Sequence, residues 1–326
     1  MLKTIYVVGE SGVGKSAIIN RFFGETLLPS YSQGEKVTKF PVQIMHSEDY
    51  GDMIHFEIEL HDSNQIATAM LETLFLKNHD PVEFQKRMFK LKDFMDKEYF
   101  LPEDLIGKNN NVQIPEKVIF YPKYLLNCSQ LLEKINVKLS ALPKIGILEL
   151  AKFRKFIAGL DHLLVKTIHL KFSSPQRVAA NVNIVEVANM TDFMNSAAER
   201  EPAHVILLVG TVTQIISQCS QYFLESGYMT LLNNNFVIVI TMLFDSVTTS
   251  DFIDFEDVAY TLGMEEILEM KKNTLEIGLE KFFENLFYGT LDKPKLEIPI
   301  FFLDNIRDVA DDFDELLASL DKLLEN

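Results

Sequence analysis

The sequence predicts an α/β fold: a mostly parallel sheet flanked by helices, with an antiparallel edge hairpin and a helical insertion. Three observations predict it. Strand-like apolar runs alternate with helical segments along most of the chain. The later runs are continuously apolar, as strands covered on both faces are. Near the amino terminus, a strand passes into a helix through a glycine-rich turn. The chain has 326 residues, 47% hydrophobic and 24% charged, enough to bury a substantial core. Length alone allows two domains, but α/β folds with insertions often reach this size as one.

In order, the expected strands are TIYVVG (4–9), FPVQIMH (40–46), MIHFEIEL (53–60), TIHLKF (167–172), VNIVEVA (182–188), HVILLVG (204–210), FVIVITMLF (236–244) and IPIFFLD (298–304). The second and third are joined by SEDYGD and read as an antiparallel hairpin. Residues 66–164 carry several helical segments divided by prolines and an Asn triplet, among them NCSQLLEKINVKLSAL and ELAKFRKFIAGLDHLLVK. They form the expected helical insertion subdomain, with residues 1–65 and 165–326 making the main domain. Residues 251–290 read as a smaller helical excursion, and DVADDFDELLASLDKLLEN as an acidic amphipathic helix docked on the sheet.

The turn after the first strand carries the chemistry. In KTIYVVGESGVGKSAIINRFFGE, the motif G-x4-G-K-S is filled by Gly9, Gly14, Lys15 and Ser16. Glycines let the backbone wrap with N–H groups pointing at phosphate oxygens, and the following helix adds the positive end of its dipole. Lys15 is expected to reach the β- and γ-phosphates and the Ser16 hydroxyl to sit on Mg2+. The strand before and the helix after make this a phosphate-binding loop; Glu10, Ser11, Gly12, Val13 and Ala17 complete the cradle.

Composition excludes several classes. A formal net charge of −16 argues against a nucleic-acid partner and against broad adhesion to anionic lipid. The best local basic patch, KFRKFIAGLDHLLVK at 152–166, reads as a core-facing helix with a basic outer face, so membrane contact has no support. No apolar run reaches the length of a membrane span. No signal peptide is expected, because the amino terminus enters a strand at once. Cys128 and Cys219 fit neither a disulfide framework nor a zinc pattern; with these features they predict a cytoplasmic protein with buried thiols. The seven histidines form no zinc spacing. His61 and Asp62 are adjacent but face opposite ways on a strand, so they make no dyad.

GESGVGKSAIINRFFG resembles the first motif of translation-factor-class GTPases, septins and dynamins included. LLPSYSQGEKVTKFPVQI resembles the dynamin-family stretch in which a helix ends in Leu-Pro and a loop carries a threonine before Lys/Arg-x-Pro. TIHLKFSSPQRVAANVNIVEVANMTDF resembles the dynamin pattern of a strand, Ser-Pro, and an apolar strand ending in Asp-x-Pro-Gly. HVILLVGTVTQ, NNFVIVITMLFD and IPIFFLDN resemble the last three strands of that P-loop GTPase domain. The resemblance covers the chain as an ordered series of strands, and only the P-loop is a specific motif.

The resemblance implies a guanine nucleotide (GTP/GDP) and Mg2+ as cofactors. Thr38 matches the switch I threonine that meets Mg2+ and the γ-phosphate region; its structural alternative is a β-forming residue before a hairpin. The Asp-x-x-Gly motif is replaced by Glu186-Val187-Ala188-Asn189. Glu186 is the favoured metal acid, ordering a magnesium-bound water. The rival is Asp62 in HDSNQ, with Gln65 at the glycine position. Thr241-Met242-Leu243-Phe244 replaces the base-reading Asn/Thr-Lys-x-Asp, and Asp245 stands one place late. Phe244 accepts no hydrogen bond from guanine, and each unpaired donor costs about 1–3 kcal/mol. A one-residue shift brings Asp245 into place; the favoured reading is weak discrimination between guanine and adenine, and Asp245 is alternatively a solvated residue or helix cap. Dynamins place a Gln-Ser pair where this chain has Ser11-Gly12, a loss that lowers rate more than binding. Arg21 and Arg177 are finger candidates whose alternative is a surface ion pair.

Three functions follow as expectations. The first is a dynamin-like GTP-binding protein that is a weak GTPase, hydrolysing its nucleoside triphosphate slowly or not at all. It would act as a switch or scaffold toward a protein partner or a second copy, through the nucleotide face or the helical insertion. The second is a pseudo-GTPase interaction module. The third is an ATP-using P-loop enzyme, against which stands the lack of an arginine-rich lid.

Overall fold

Continuous apolar runs make the strands that need cover on both faces, and amphipathic helices supply that cover. The computed structural model describes residues 3–10, 12–29, 40–50, 52–66, 122–161, 164–173, 182–187, 193, 204–217, 236–241, 264–287, 298–303 and 312–325. In chain order the elements are β1 (Lys3–Val8), α1 (Lys15–Phe23), β2 (Val42–His46), β3 (Met53–Leu60), α2 (Pro122–Ala141), β4 (Ile145–Glu149) and α3 (Leu150–Ala158). There follow β5 (Val165–Phe172), β6 (Val182–Glu186), β7 (Val205–Gly210), β8 (Phe236–Thr241), α4 (Met264–Phe287), β9 (Ile300–Leu303) and α5 (Phe313–Glu325).

The strands form one nine-stranded sheet in the order β4-β3-β5-β2-β6-β1-β7-β8-β9. The pairs β1–β6, β1–β7, β2–β5, β7–β8 and β8–β9 are parallel, and β2–β6 is antiparallel. The α/β class, the mostly parallel sheet and its flanking helices are as predicted. Every residue of β7 and of β8 is buried, which is why both read as unbroken apolar runs. On one face Tyr6, Val8, Ile206 and Ile238 pack with Leu268 and Leu279 of α4.

The hairpin expected between β2 and β3 is corrected: β5 lies between them, and the antiparallel partner of β2 is β6. The Ser47 N–H donates to the Phe172 carbonyl at 3.0 Å, so the chain leaving β2 is held by the end of β5. A short 3-10 turn, Glu48–Tyr50, then carries it onward. Adjacency is enforced by two-residue loops such as Asn-Gly, and SEDYGD is longer.

Two compact units are present. One comprises Met1–Glu57, Ile147–Leu160 and Thr167–Asn326; the other comprises Ile58–Gly146 and Asp161–Lys166. Of the segment read as a helical insertion, residues 67–121 and 162–163 lie outside the described residues. Cys128 falls within α2, the helix expected from NCSQLLEKINVKLSAL. The stretch ELAKFRKFIAGLDHLLVK, read as helical throughout, divides: Glu149 closes β4, α3 spans only Leu150–Ala158, and Val165 opens β5. α3 buries Phe153 and Ile157, as its helical spacing requires.

The acidic helix at the carboxyl end is docked, as its pattern implied. Phe313, Leu316, Leu320 and Leu324 of α5 are buried, and Asp314 and Glu315 occupy its first turn, where the helix dipole favours negative charge. Asp312 ties this helix to β9: its Oδ2 accepts the Phe302 N–H at 2.8 Å, and its own N–H donates to the Phe302 carbonyl at 2.9 Å. Lys272 of α4 forms an ion pair with the same carboxylate.

Candidate functional site

β1 runs between β6 and β7, so the chain leaves it to one side and later returns on the other. Such a switch point opens a crevice at the carboxyl ends of the strands, where ligands of open α/β sheets bind. The loop after β1 occupies that place. Gly9 has φ 157°, and a Cβ there would stand 2.0 Å from the Val209 carbonyl oxygen, so only glycine passes against β7. Gly14 caps α1 with φ 93° and ψ 13°, a left-handed conformation that L side chains strongly disfavour. Gly24 closes the helix in the same conformation, donating to the Arg21 and Asn20 carbonyls.

Within this frame the side chains of Lys15 and Ser16 are buried and partnered. Lys15 Nζ donates to the carbonyls of Gly9 and Glu10, both at 2.8 Å, folding the ammonium over the loop. Ser16 Oγ donates to Glu186, 3.0 Å from Oε1 and 3.1 Å from Oε2. Glu186 ends β6 in register with Val7 of β1 and is only 1% exposed. The end of β8 contributes Thr241, whose hydroxyl donates to the Val13 carbonyl at 2.7 Å. Three parallel strands thus deliver Gly9, Glu186 and Thr241 to one loop.

Of the residues expected at the site, Gly9, Glu10, Gly12, Val13, Gly14, Lys15, Ser16 and Ala17 form the loop and the first turn of α1. Ser11, Thr38 and Asp245 lie outside the described residues, as do Asn189, Phe244, Arg177 and Cys219. The two candidate acids have different surroundings. Glu186 meets Ser16, whereas Asp62 Oδ1 accepts from the N–H groups of Asn64 (2.8 Å) and Gln65 (3.4 Å). Gln65 Oε1 accepts the Asp62 N–H in return at 3.3 Å, so Asp62 and Gln65 form a capping box over a helical turn. Next to it, burial lowers the pKa of His61, the Lys166 ammonium lowers it further, and Glu59 opposes them.

Arg21 belongs to the fold: its guanidinium lies 3.9 Å over the ring of Phe313, which also stacks with Phe22. Sequence reasoning missed the contact of Thr241 with the loop, and missed Asn20 altogether. Asn20 accepts from the Leu28 N–H and donates to the Leu28 carbonyl, both at 2.8 Å, fixing the chain as it leaves α1. The available signal was a polar residue in an otherwise buried apolar setting, which needs partners.

A hard divalent cation fits the donor set. Ser16 and Glu186 offer one hydroxyl and one carboxylate, and Mg2+ is typically held by one or two carboxylates plus substrate phosphates and water. Among the described residues, no group of three or more His, Cys, Asp or Glu could hold an ion by itself.

Among solved structures, the chain is similar to chains from two structures of an oligomerised bacterial dynamin pair, described there as a mechanism for long-range sensing and tethering of membranes. These neighbours are bacterial dynamins. The TM-scores are 0.48 and 0.46, each at 13% identity, over 99% of this chain and 45% of the neighbour's. The chain thus spans less than half the length of either neighbour. No protein-family model and no curated protein matches it. No helix among the described residues is long and apolar enough to cross a membrane.

Proposed function

We propose that this chain binds a nucleoside triphosphate, with a guanine nucleotide and Mg2+ as its ligands, and hydrolyses it slowly or not at all. The observation that carries the reading is the assembled cradle: the left-handed Gly14 cap, the Lys15 ammonium over the loop, and Ser16 against Glu186. Backbone N–H groups at the start of α1 bind phosphate oxygens. Lys15 exchanges its carbonyl partners for the β- and γ-phosphates, and Ser16 and Glu186 hold the cation. The bound cation supplies charge neutralisation on the phosphates. Slow turnover follows because Ser11-Gly12 offers no long polar side chain to orient water, and because Arg21 is engaged with Phe313. A bound state that persists suits a switch or scaffold.

A second reading, a pseudo-GTPase interaction module, has one observation in its favour. Lys15 and Ser16 find hydrogen-bond partners within the protein, so neither depends on a nucleotide for one. Calorimetric titration with GTP and with ATP, each with Mg2+, separates the readings, with Lys15→Ala as control. GTP binding that disappears in the control, with ATP much weaker, supports the first reading with guanine specificity. Equal binding of both nucleotides supports binding without base selection. No binding of either moves the chain to the second reading. Turnover as fast as an assembling dynamin contradicts the slow-hydrolysis part.

A further inference from the structure

One strand departs from the pattern of the buried sheet. β4 stands at the end of the strand order, with β3 as its neighbour among the described residues. Its sequence, IGILE, carries no charge before Glu149, and none of its residues is buried. Ile145 and Ile147 are 63% and 52% exposed, and as alternate residues of a strand they share one face. Sheet edges are ordinarily blunted by charges or proline within the strand, because an open edge is a template for another strand. β4 has neither between Ile145 and Leu148.

The backbone shows which polar groups are open. The Lys144 carbonyl accepts the Ile58 N–H of β3 at 2.7 Å, so this residue turns its backbone groups toward β3. Successive strand residues turn these groups to alternate edges, so Gly146 and Leu148 also face β3. Ile145, Ile147 and Glu149 turn theirs outward. The residues with exposed apolar side chains are thus the ones that offer outward N–H and C=O groups.

Such an edge is complementary to itself. Antiparallel pairing about a two-fold axis at Gly146 sets Ile145 opposite Ile147 of a second copy, and Ile147 opposite its Ile145. Both are hydrogen-bonded pairs that exchange N–H···O bonds in each direction, and all the isoleucines fall on one face. Gly146 meets Gly146 at the axis, with no side chain to obstruct it. The ladder also ends in step with the sequence. Glu149 comes opposite Pro143, which has no N–H to give, and α3 begins at Leu150. An axis at Ile147 instead sets each Ile145 against Glu149, whose carboxylate is paired with Lys152 at 3.1 Å.

We propose that β4 is a dimerisation edge, pairing antiparallel with β4 of a second copy of this chain about Gly146. The contact needs no nucleotide. It is narrower than a standard interface, so the dimer forms with rising concentration rather than permanently. Each copy carries a formal charge of −16, and the contact itself is apolar, so added salt strengthens it.

Sedimentation velocity without nucleotide, up to about 1 mM protein, measures the dimer in wild type, Ile147→Pro and Ile145→Lys. Proline at position 147 removes an outward N–H and leaves the bonds to β3 in place, and the two-fold axis removes it twice. The dissociation constant should rise about ten-fold or more in Ile147→Pro, the scale of lost ladder bonds. Ile145→Lys should weaken the dimer comparably, and thermal melting by circular dichroism checks that both variants are folded. The register is read by oxidising a mixture of Ile145→Cys and Ile147→Cys proteins and mapping the disulfide-linked peptides. Opposed residues of a hydrogen-bonded pair lie about 5.5 Å apart at Cα, within disulfide reach. The expected product joins position 145 of one copy to position 147 of the other. A product from Ile147→Cys alone, linking 147 to 147, overturns the register about Gly146. A monomer at every concentration, or a dimer that folded Ile147→Pro and Ile145→Lys leave intact, overturns the proposal.

Discussion

Adding one methyl group at Gly9 should cost far more than adding it at Gly12, three residues away in the same loop. At Gly9 the new Cβ would lie 2.0 Å from the Val209 carbonyl oxygen, at least 1.0 Å inside the 3.0 Å that real Cβ contacts respect. The obstacle is backbone of β7, which pairs in register with β1 (Val8↔Leu208), so no flexible side chain can yield. Moving the loop or β7 by that amount stretches ladder hydrogen bonds of about 2.9 Å beyond bonding range. Loss of two such bonds at about 1 kcal/mol each, with about 1–3 kcal/mol of overpacking, gives a destabilisation of about 3–5 kcal/mol. At Gly12 a Cβ meets nothing within 4 Å, and only the backbone conformation at φ 85° is penalised. That penalty is about 1–2 kcal/mol. Urea unfolding of Gly9→Ala and Gly12→Ala measures the difference, and calorimetry with GTP and Mg2+ reports the cradle. Gly9→Ala should unfold at clearly lower urea than Gly12→Ala and lose nucleotide binding. Equal stability of the two variants would refute the close approach of the loop to β7, and with it the shape assigned to the cradle.

Two further outcomes test the assignment of the acids and the electrostatics around them. Asp62→Ala should cost about 1 kcal/mol through loss of its helix cap and leave nucleotide and Mn2+ affinity unchanged; a large drop in either affinity would return Asp62 to the metal site. Because burial first, and the Lys166 ammonium second, hold the His61 pKa below 6.5, the folded state keeps this imidazole neutral where the unfolded chain takes up a proton. Its contribution is fully present above pH 6.5 and is lost as pH falls from there through the lowered value. His61→Gln should remove that part of the pH dependence in urea unfolding, and identical slopes for the two proteins would contradict it.

How much of this was legible in sequence follows from distance along the chain. The strand–loop–helix shape around Gly14 was, because its determinants are contiguous: glycines at the turns, an apolar strand before and an amphipathic helix after. The buried strands were, because a strand covered on both faces admits little but apolar residues. α5 was, because Phe313, Leu316, Leu320 and Leu324 repeat at helical spacing. By contrast, ELAKFRKFIAGLDHLLVK showed a helical pattern that did not reveal its neighbours, so β4 and the start of β5 were hidden in its ends.

What only the tertiary structure decided are choices between distant partners. Glu186 and Asp62 were both plausible acids on local pattern; a contact spanning 170 positions brings Glu186 to Ser16, while Asp62 closes a capping box with Gln65, three positions on. Thr241 looked like part of an eroded base-reading motif, and its hydroxyl instead supports Val13 across 228 residues. Arg21 read as a finger candidate or, more readily, a surface ion-pair residue, and Phe313, far along the chain, takes its guanidinium. The place of β5 between β2 and β3 is of the same kind. Local sequence sets backbone conformation and which face is apolar, because those depend on neighbours within a turn or two. Strand order and register set which side chains meet, and they come from the packing of the whole sheet.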